Sequence, residues 1–151
     1  YETEIIVKIN RLGKCIQEKF AHLYYEELGL GVDFTARDLQ RRCIQEGNPW
    51  EIAKAFDGSA VVGKFLPKSQ FQDVQNLNFH LLLNGEKVQE GNSHDMLFTI
   101  DQIIAYVSRF MTLKTGDIIF TGTPVGVGPV HINDRLQGFL EGEKMFDFKV
   151  K

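Results

Sequence analysis

The residues best suited to chemistry come in four groups. The first is a Glu-x-Glu pair, Glu2 and Glu4, inside the opening stretch YETEIIVKI. Successive strand side chains point to opposite faces, so Glu2 and Glu4 share a face with Ile6 and Lys8, while Tyr1, Thr3, Ile5, Val7 and Ile9 share the other. At a strand rise of about 3.3 Å the two acids stand roughly 6.5–7 Å apart at their Cα atoms, close enough to turn toward one cation. Unaided they repel, and taken alone the pair reads as solvated acids on an edge strand. The second group is VDFTARDLQ. Asp33 ends an extended segment just before a helix, and Arg37 and Gln40, three apart, share a helix face. The third is Lys54 within PWEIAKAFD. The fourth is TGTPVGVG, Thr121 to Gly128, small residues and hydroxyls after an apolar run. It lacks the Gly-Lys-Ser/Thr ending of a phosphate-binding loop. Singly, each has an ordinary structural explanation: helix caps for Asp33 and Asp38, a surface position for Lys54, a turn for the glycines.

The elements that must position these groups are partly readable. After the first strand, NRLGK is a turn. Ile16, Phe20, Leu23, Tyr24 and Leu28 recur at helical spacing, so a helix is predicted there, stopped by Gly29 and Gly31. Leu30 to Phe34 is a short extended segment. A second helix follows, with Thr35 as N-cap, Asp38 as its capping-box partner and Gly47 as the stop. Asn48 and Pro49 predict one or two further turns. AVVGKF and LNFHLLL read as strands, and Asn84-Gly85 marks a hairpin returning through EKVQEG. TIDQIIAYVSRFM is the clearest helix, with a Thr99/Gln102 capping box and one apolar stripe from Ile100 to Met111. IIFTGTPVGVGPV is a buried strand running into the glycine loop. The closing RLQGFLEGEKMFDFKV predicts two strands around Glu141-Gly142. Short strands mixed with a few helices give an α+β fold of one domain over residues 1–151.

Composition narrows the function. The chain has 151 residues, 43% hydrophobic and 25% charged, with 17 Lys+Arg against 20 Asp+Glu and a net charge of −3. That is a globular profile with no general basic footprint, so no nucleic-acid partner is expected. No apolar run approaches the roughly 20 residues of a membrane span, so no membrane partner is expected either. Cys15 and Cys43 make neither a disulfide framework nor a Cys-x-x-Cys site and are expected as free buried thiols in the cytoplasm.

Together, ETE, DFTARDLQ, PWEIAKAFD, the long run from LNGEKVQEG to TGTPVGVGPV, and NDRLQGFLEGE resemble the fumarylacetoacetate hydrolase family, in its smaller acylpyruvase and isomerase-like branch. They keep the family's order along nearly the whole chain. The resemblance implies a mixed β-sandwich or roll of the family's C-terminal-domain type with a few short helices. It implies Mg2+ or Mn2+ held by Glu2, Glu4 and Asp33, an all-oxygen set suited to a hard cation. It implies a small-molecule 2-oxo acid substrate bound by Arg37, Gln40, Lys54 and Thr123, with Lys54 also catalytic, steadying charge on an enolate. The implied activity is hydrolysis of a carbon–carbon bond in an acylpyruvate-like acid. Isomerisation or decarboxylation of related 2-oxo diacids is the alternative, since all three pass through that enolate. A homodimer is implied as well.

One departure matters. The family's smaller enzymes carry an upstream segment with a lid and a water-activating His/Glu pair, and His22, His80, His94 and His131 do not fall at that catalytic His position. The natural polypeptide is therefore expected to extend upstream of Tyr1. A non-catalytic, metal-stabilised binding domain is the competing reading from another class.

Overall fold

The alternation at the start of the chain builds β1, Thr3–Ile9, in a computed structural model that describes every residue from Tyr1 to Lys151. Of the seven β1 residues only Lys8 is even partly exposed. The strand is therefore internal, not the edge strand that a lone acid pair suggests. It is flanked by β2, Tyr25–Asp33, and β6, Ile118–Phe120. With β3, Ala60–Pro67, these form a four-stranded sheet in the order β3-β2-β1-β6. A second sheet has the order β5-β4-β7-β8, from Asn78–Leu83 (β4), Glu86–Asn92 (β5), Arg135–Leu140 (β7) and Glu143–Lys149 (β8). All pairings are antiparallel.

The sheets share one core. Ile5, Val7 and Leu30 from the first meet Leu81, Leu136 and Leu140 from the second, all essentially without solvent contact. The chain also forms three helices, α1, Glu18–Ala21; α2, Arg37–Glu46; and α3, Ile100–Val107, with α1 packed against α3. The architecture is the expected α+β sandwich-like roll.

Several local readings hold. Asn84 and Gly85 both take positive φ, 53° and 90°, in the two-residue turn between β4 and β5. The Thr99/Gln102 capping box opens α3 with both reciprocal bonds in place. That helix stops at Val107, however, and Phe110 and Met111 are exposed beyond it while Ile100 and Ile104 carry the burial.

The helix predicted over Ile16 to Leu28 is corrected. Only Glu18–Ala21 is helical, and from Tyr25 the chain enters β2. Gly29 and Gly31 do not stop a helix. They pair with Ile6 and Glu4 in the middle of the sheet. A Cβ on Gly31 would come 2.7 Å from the Val61 carbonyl and 2.9 Å from the Phe120 ring, so this face of β2 must be bare for Ile6 and Phe120 to pack. Thr35 does not cap α2. Ala36 occupies that position without a side-chain bond, and the Thr35 hydroxyl is engaged elsewhere. Nor does Asn48 cap the next turn, a short 3-10 helix over Glu51–Ala53 that follows Trp50. Cys43 is buried as expected, but Cys15 is exposed, in a left-handed turn at φ 53°.

Candidate active site

Strand pairing brings the acids together. β1 runs antiparallel to β2 with Glu4 opposite Gly31 and Thr3 opposite Val32, and the Asp33 N–H donates to the Glu2 carbonyl at 2.8 Å. Asp33, at the end of β2, thus faces the start of β1. One carboxylate oxygen from each of Glu2, Glu4 and Asp33 lies within 4.8 Å of the others. Three hard oxygen donors that close are the set a divalent cation takes.

Lys54 is delivered from the other side. The 3-10 turn Glu51–Ala53 is anchored by Ala53, fully buried, whose carbonyl accepts from the Ala36 N–H at 3.0 Å. Lys54 follows directly. Its ammonium reaches Glu2 Oε2 at 2.7 Å, Asp33 Oδ2 at 2.6 Å and Thr35 Oγ1 at 2.7 Å. An ammonium has three N–H donors, and all three are taken. Burial works against the charged amine, but hydrogen bonds to Asp33 and Glu2 outweigh it and hold Lys54 above the usual lysine value. It is a cation at neutral pH, not a base.

Arg37, at the first turn of α2 and half exposed, places Nη2 on Glu2 Oε1 and donates from Nη1 to Gln40 Oε1 at 3.3 Å. Arg37 and Gln40 therefore meet as the helix spacing predicts. Thr123 stands on the loop after β6. Its hydroxyl donates to the Thr3 carbonyl at 2.9 Å and accepts from Gln89 Nε2 at 2.9 Å.

Glu4 differs from its neighbours. It is 5% exposed, and its carboxylate accepts from the Gly122 N–H at 2.7 Å with no cationic side chain paired to it. Burial, against the pull of the Gly122 bond and with Asp33 and Glu2 adding repulsion, pushes its pKa up to about 7. A buried acid that is about half protonated at neutral pH, with two further acids beside it, marks a centre short of positive charge. The donor chemistry and this deficit fit a divalent cation.

Two concavities flank the core. Glu2, Glu4 and Asp33 line neither of them: the larger, about 840 Å³, is lined by Leu66, Phe71, Asp73, Asn76 and Glu141 among others. The smaller, about 510 Å³, borders the loop at Gly122 and Thr123 and is walled by Phe79, Met96, Leu97 and Phe98.

Against known proteins, the family description "Fumarylacetoacetate (FAA) hydrolase C-terminal" matches residues 1–147. The chain belongs to the fumarylacetoacetate hydrolase family. It is 44% identical, over all 151 residues, to the bovine protein named "Oxaloacetate tautomerase FAHD1, mitochondrial", covering 68% of that protein. It is 39% identical over 146 residues to "Oxaloacetate tautomerase YcgM" of Escherichia coli, covering 96% of this chain and 67% of that one. Among solved structures it superposes with a TM-score of 0.91, at 36% identity, on fumarylpyruvate hydrolase from Pseudomonas aeruginosa in complex with Mn2+ and pyruvate, over 100% of this chain and 64% of that one. The chain is an enzyme of the fumarylacetoacetate hydrolase family. No helix is long and apolar enough to cross a membrane.

Three features of this family site carry no sequence signal. Thr35 reads as a helix cap and serves Lys54. The Gly122 N–H faces Glu4, although nothing in TGT marks one amide from another. Gln89 reads as a polar strand residue and is buried between the sheets.

The raised Glu4 pKa gives a pH prediction. Without metal, the folded state holds the Glu4 proton more tightly than the unfolded chain does, so it gains stability from Glu4 fully below about pH 4.5 and loses it as pH rises through about 7. Chelator-treated protein should show a Tm that falls between pH 5 and pH 8, a slope that Glu4→Gln flattens and saturating Mn2+ offsets. Thermal scans across that range check it. A pH-independent difference between wild type and Glu4→Gln would disprove it.

Proposed function

We propose that this enzyme interconverts the keto and enol forms of a short 2-oxo dicarboxylic acid of the oxaloacetate type. The observation that carries the reading is the convergence of three carboxylates with two cationic side chains, Lys54 and Arg37, at one end of β1. Glu2, Glu4 and Asp33 would hold one divalent cation, Mg2+ or Mn2+, which would supply Lewis-acid polarisation of the 2-keto oxygen. The Lys54 ammonium would meet the negative charge that develops on the 2-oxygen as the C3 proton passes to solvent water, and reprotonation of that oxygen gives the enol. Arg37, with a planar fork and a half-exposed position, orients a substrate carboxylate, and Gln40 holds the unused edge of that fork. Thr123, whose hydroxyl is bonded to the backbone between Glu2 and Glu4, is the remaining substrate-binding candidate. The names of the relatives at 44% and 39% identity support tautomerisation as the first reaction to test.

A second reading is hydrolytic carbon–carbon cleavage of an acylpyruvate. It is favoured by the apolar cavity of about 510 Å³ beside Gly122 and Thr123, which has room for an acyl chain that a four-carbon diacid lacks. Ultraviolet assays with Mg2+ or Mn2+ separate the two. Enol absorbance of oxaloacetate that decays faster with enzyme, without release of carbon dioxide or pyruvate, supports tautomerisation. Stoichiometric pyruvate from acylpyruvates, with no effect on oxaloacetate enol decay, would replace it with hydrolysis.

We further propose a homodimer, in keeping with the sizeable apolar share and with exposed Leu97, Phe110 and Val125. Sedimentation at micromolar concentration should give twice the chain mass, and a stable monomer would refute this.

A further inference from the structure

We infer that Gln89 is a positioning residue that stands in for a missing strand beside the Glu2-x-Glu4 segment and sets the spacing of its acids. The inference rests on the metal-site reading above.

β6 pairs with β1 only at Ile6, Val7 and Lys8, and Thr121 continues to Ile5. Nearer the acids, β1 has no strand on that side. Thr3, between Glu2 and Glu4, is fully buried, so its backbone groups on the open edge need partners. The Gln89 side chain reaches over from the other sheet. Its Oε1 accepts from the Thr3 N–H at 3.0 Å, and its Nε2 donates to Thr123 Oγ1 at 2.9 Å and to the Pro124 carbonyl at 3.1 Å. The amide can sit only this way round, because a backbone N–H only donates and a carbonyl only accepts. Thr123 Oγ1 completes the ring by donating to the Thr3 carbonyl at 2.9 Å. Gln89 is 2% exposed and sits on β5, so the frame is rigid. The loop is seated on the same strand. Gly126 takes φ +100°, and a Cβ there would lie 2.3 Å from the Val88 carbonyl.

Two consequences follow. Gln89 fixes the distance between β1 and the loop, and with it the Gly122 N–H that holds Glu4. It also commits Thr123. The only hydroxyl proton goes to Thr3, and one lone pair is taken by Gln89, so Thr123 keeps acceptor capacity alone. Toward a substrate it accepts, as from an enol O–H, and does not donate to a carboxylate.

The test uses Gln89→Met, Gln89→Glu and, as a control, Ser93→Ala in the full-length protein. Ser93 Oγ is likewise a buried hydrogen-bonding group, accepting from the Leu77 N–H at 2.8 Å and donating to the Val74 carbonyl at 3.0 Å, but it does not touch β1 or the loop. Gln89→Met should weaken Mn2+ binding, measured by calorimetry, by about 10–100-fold, the usual effect of losing a group that orients ligands. Per folded molecule, kcat should fall by a similar factor with KM little changed, and the Thr3 amide should exchange faster in the metal-free protein. Gln89→Glu keeps the acceptor for Thr3 but sets a carboxylate against the Pro124 carbonyl. It should restore slow Thr3 exchange without restoring kcat. Ser93→Ala should lower Tm while leaving Mn2+ affinity, kcat and Thr3 exchange unchanged. Wild-type values for all three in Gln89→Met would overturn the inference, as would equal losses in Ser93→Ala. If the wild-type protein itself bound no Mn2+, the metal reading would fail separately. Thr3 exchange would then decide on Gln89, with unchanged exchange ruling it out.

Discussion

Lys54→Ala should lower kcat by roughly 10²-fold or more, the loss typical of removing a preorganised donor to a developing oxyanion. Its sharper signature is in metal binding. Lys54 spends its three donors on Glu2, Asp33 and Thr35, so in the metal-free chain it supplies the positive charge that a divalent cation would bring. Removing it leaves Glu2 and Asp33 with only Arg37 nearby. The acids should then bind Mn2+ as tightly as before or more so, while turnover collapses. A structural ion pair predicts the opposite coupling. Its loss would let the acids splay, and metal affinity, stability and activity would fall together. Calorimetry and steady-state kinetics on Lys54→Ala and Lys54→Met, both corrected for folded fraction, discriminate. Activity per folded molecule at wild-type level would show that Lys54 does nothing for the reaction.

What the sequence disclosed follows from range. Features written within a few residues were legible: the alternation of β1, the Asn84-Gly85 turn, the Thr99/Gln102 box and the acid pair itself. Each depends on a backbone geometry that its own residues dictate. The failures are long-range. Ile16 to Leu28 has helical spacing, yet β1 offers an open ladder, and burial of Tyr25, Leu28, Leu30 and Val32 as a strand outweighs local preference. Thr35 has the right type for a cap, but Lys54, nineteen residues on, claims its oxygen. Gln89 was invisible because its partners, Thr3 and Thr123, lie 86 and 34 residues away. Asp33 fell between these cases. Its place before a helix was readable, and its alignment with Glu2 needed the β1–β2 register.

Asp33 also provides the second large effect. Asp33→Ala should weaken Mn2+ affinity by well over the roughly 10–100-fold expected for an outer-shell loss, because a directly ligating charge disappears. Two acids from one strand cannot enclose a cation by themselves, and in the proposed ligand set Asp33 is the donor contributed by β2. Stability gives an independent reading. Bound metal raises stability by RT ln(1 + [M]/Kd), about 2.7 kcal/mol at a hundredfold excess over Kd, so wild-type protein should show a clear rise in Tm with Mn2+ that Asp33→Ala lacks. Without metal the variant should be little worse than wild type. It loses the Lys54 ion pair, but that pair is partly solvated and Glu2 remains beside the ammonium. Asp33→Asn tests charge against shape. It preserves the oxygen and the volume, and if the site works by charge neutralisation it should also fail to show the Mn2+ shift. An undiminished shift in Asp33→Ala would remove Asp33 from the ligand set and leave Glu2 and Glu4 as an acid pair balanced by Lys54 and Arg37.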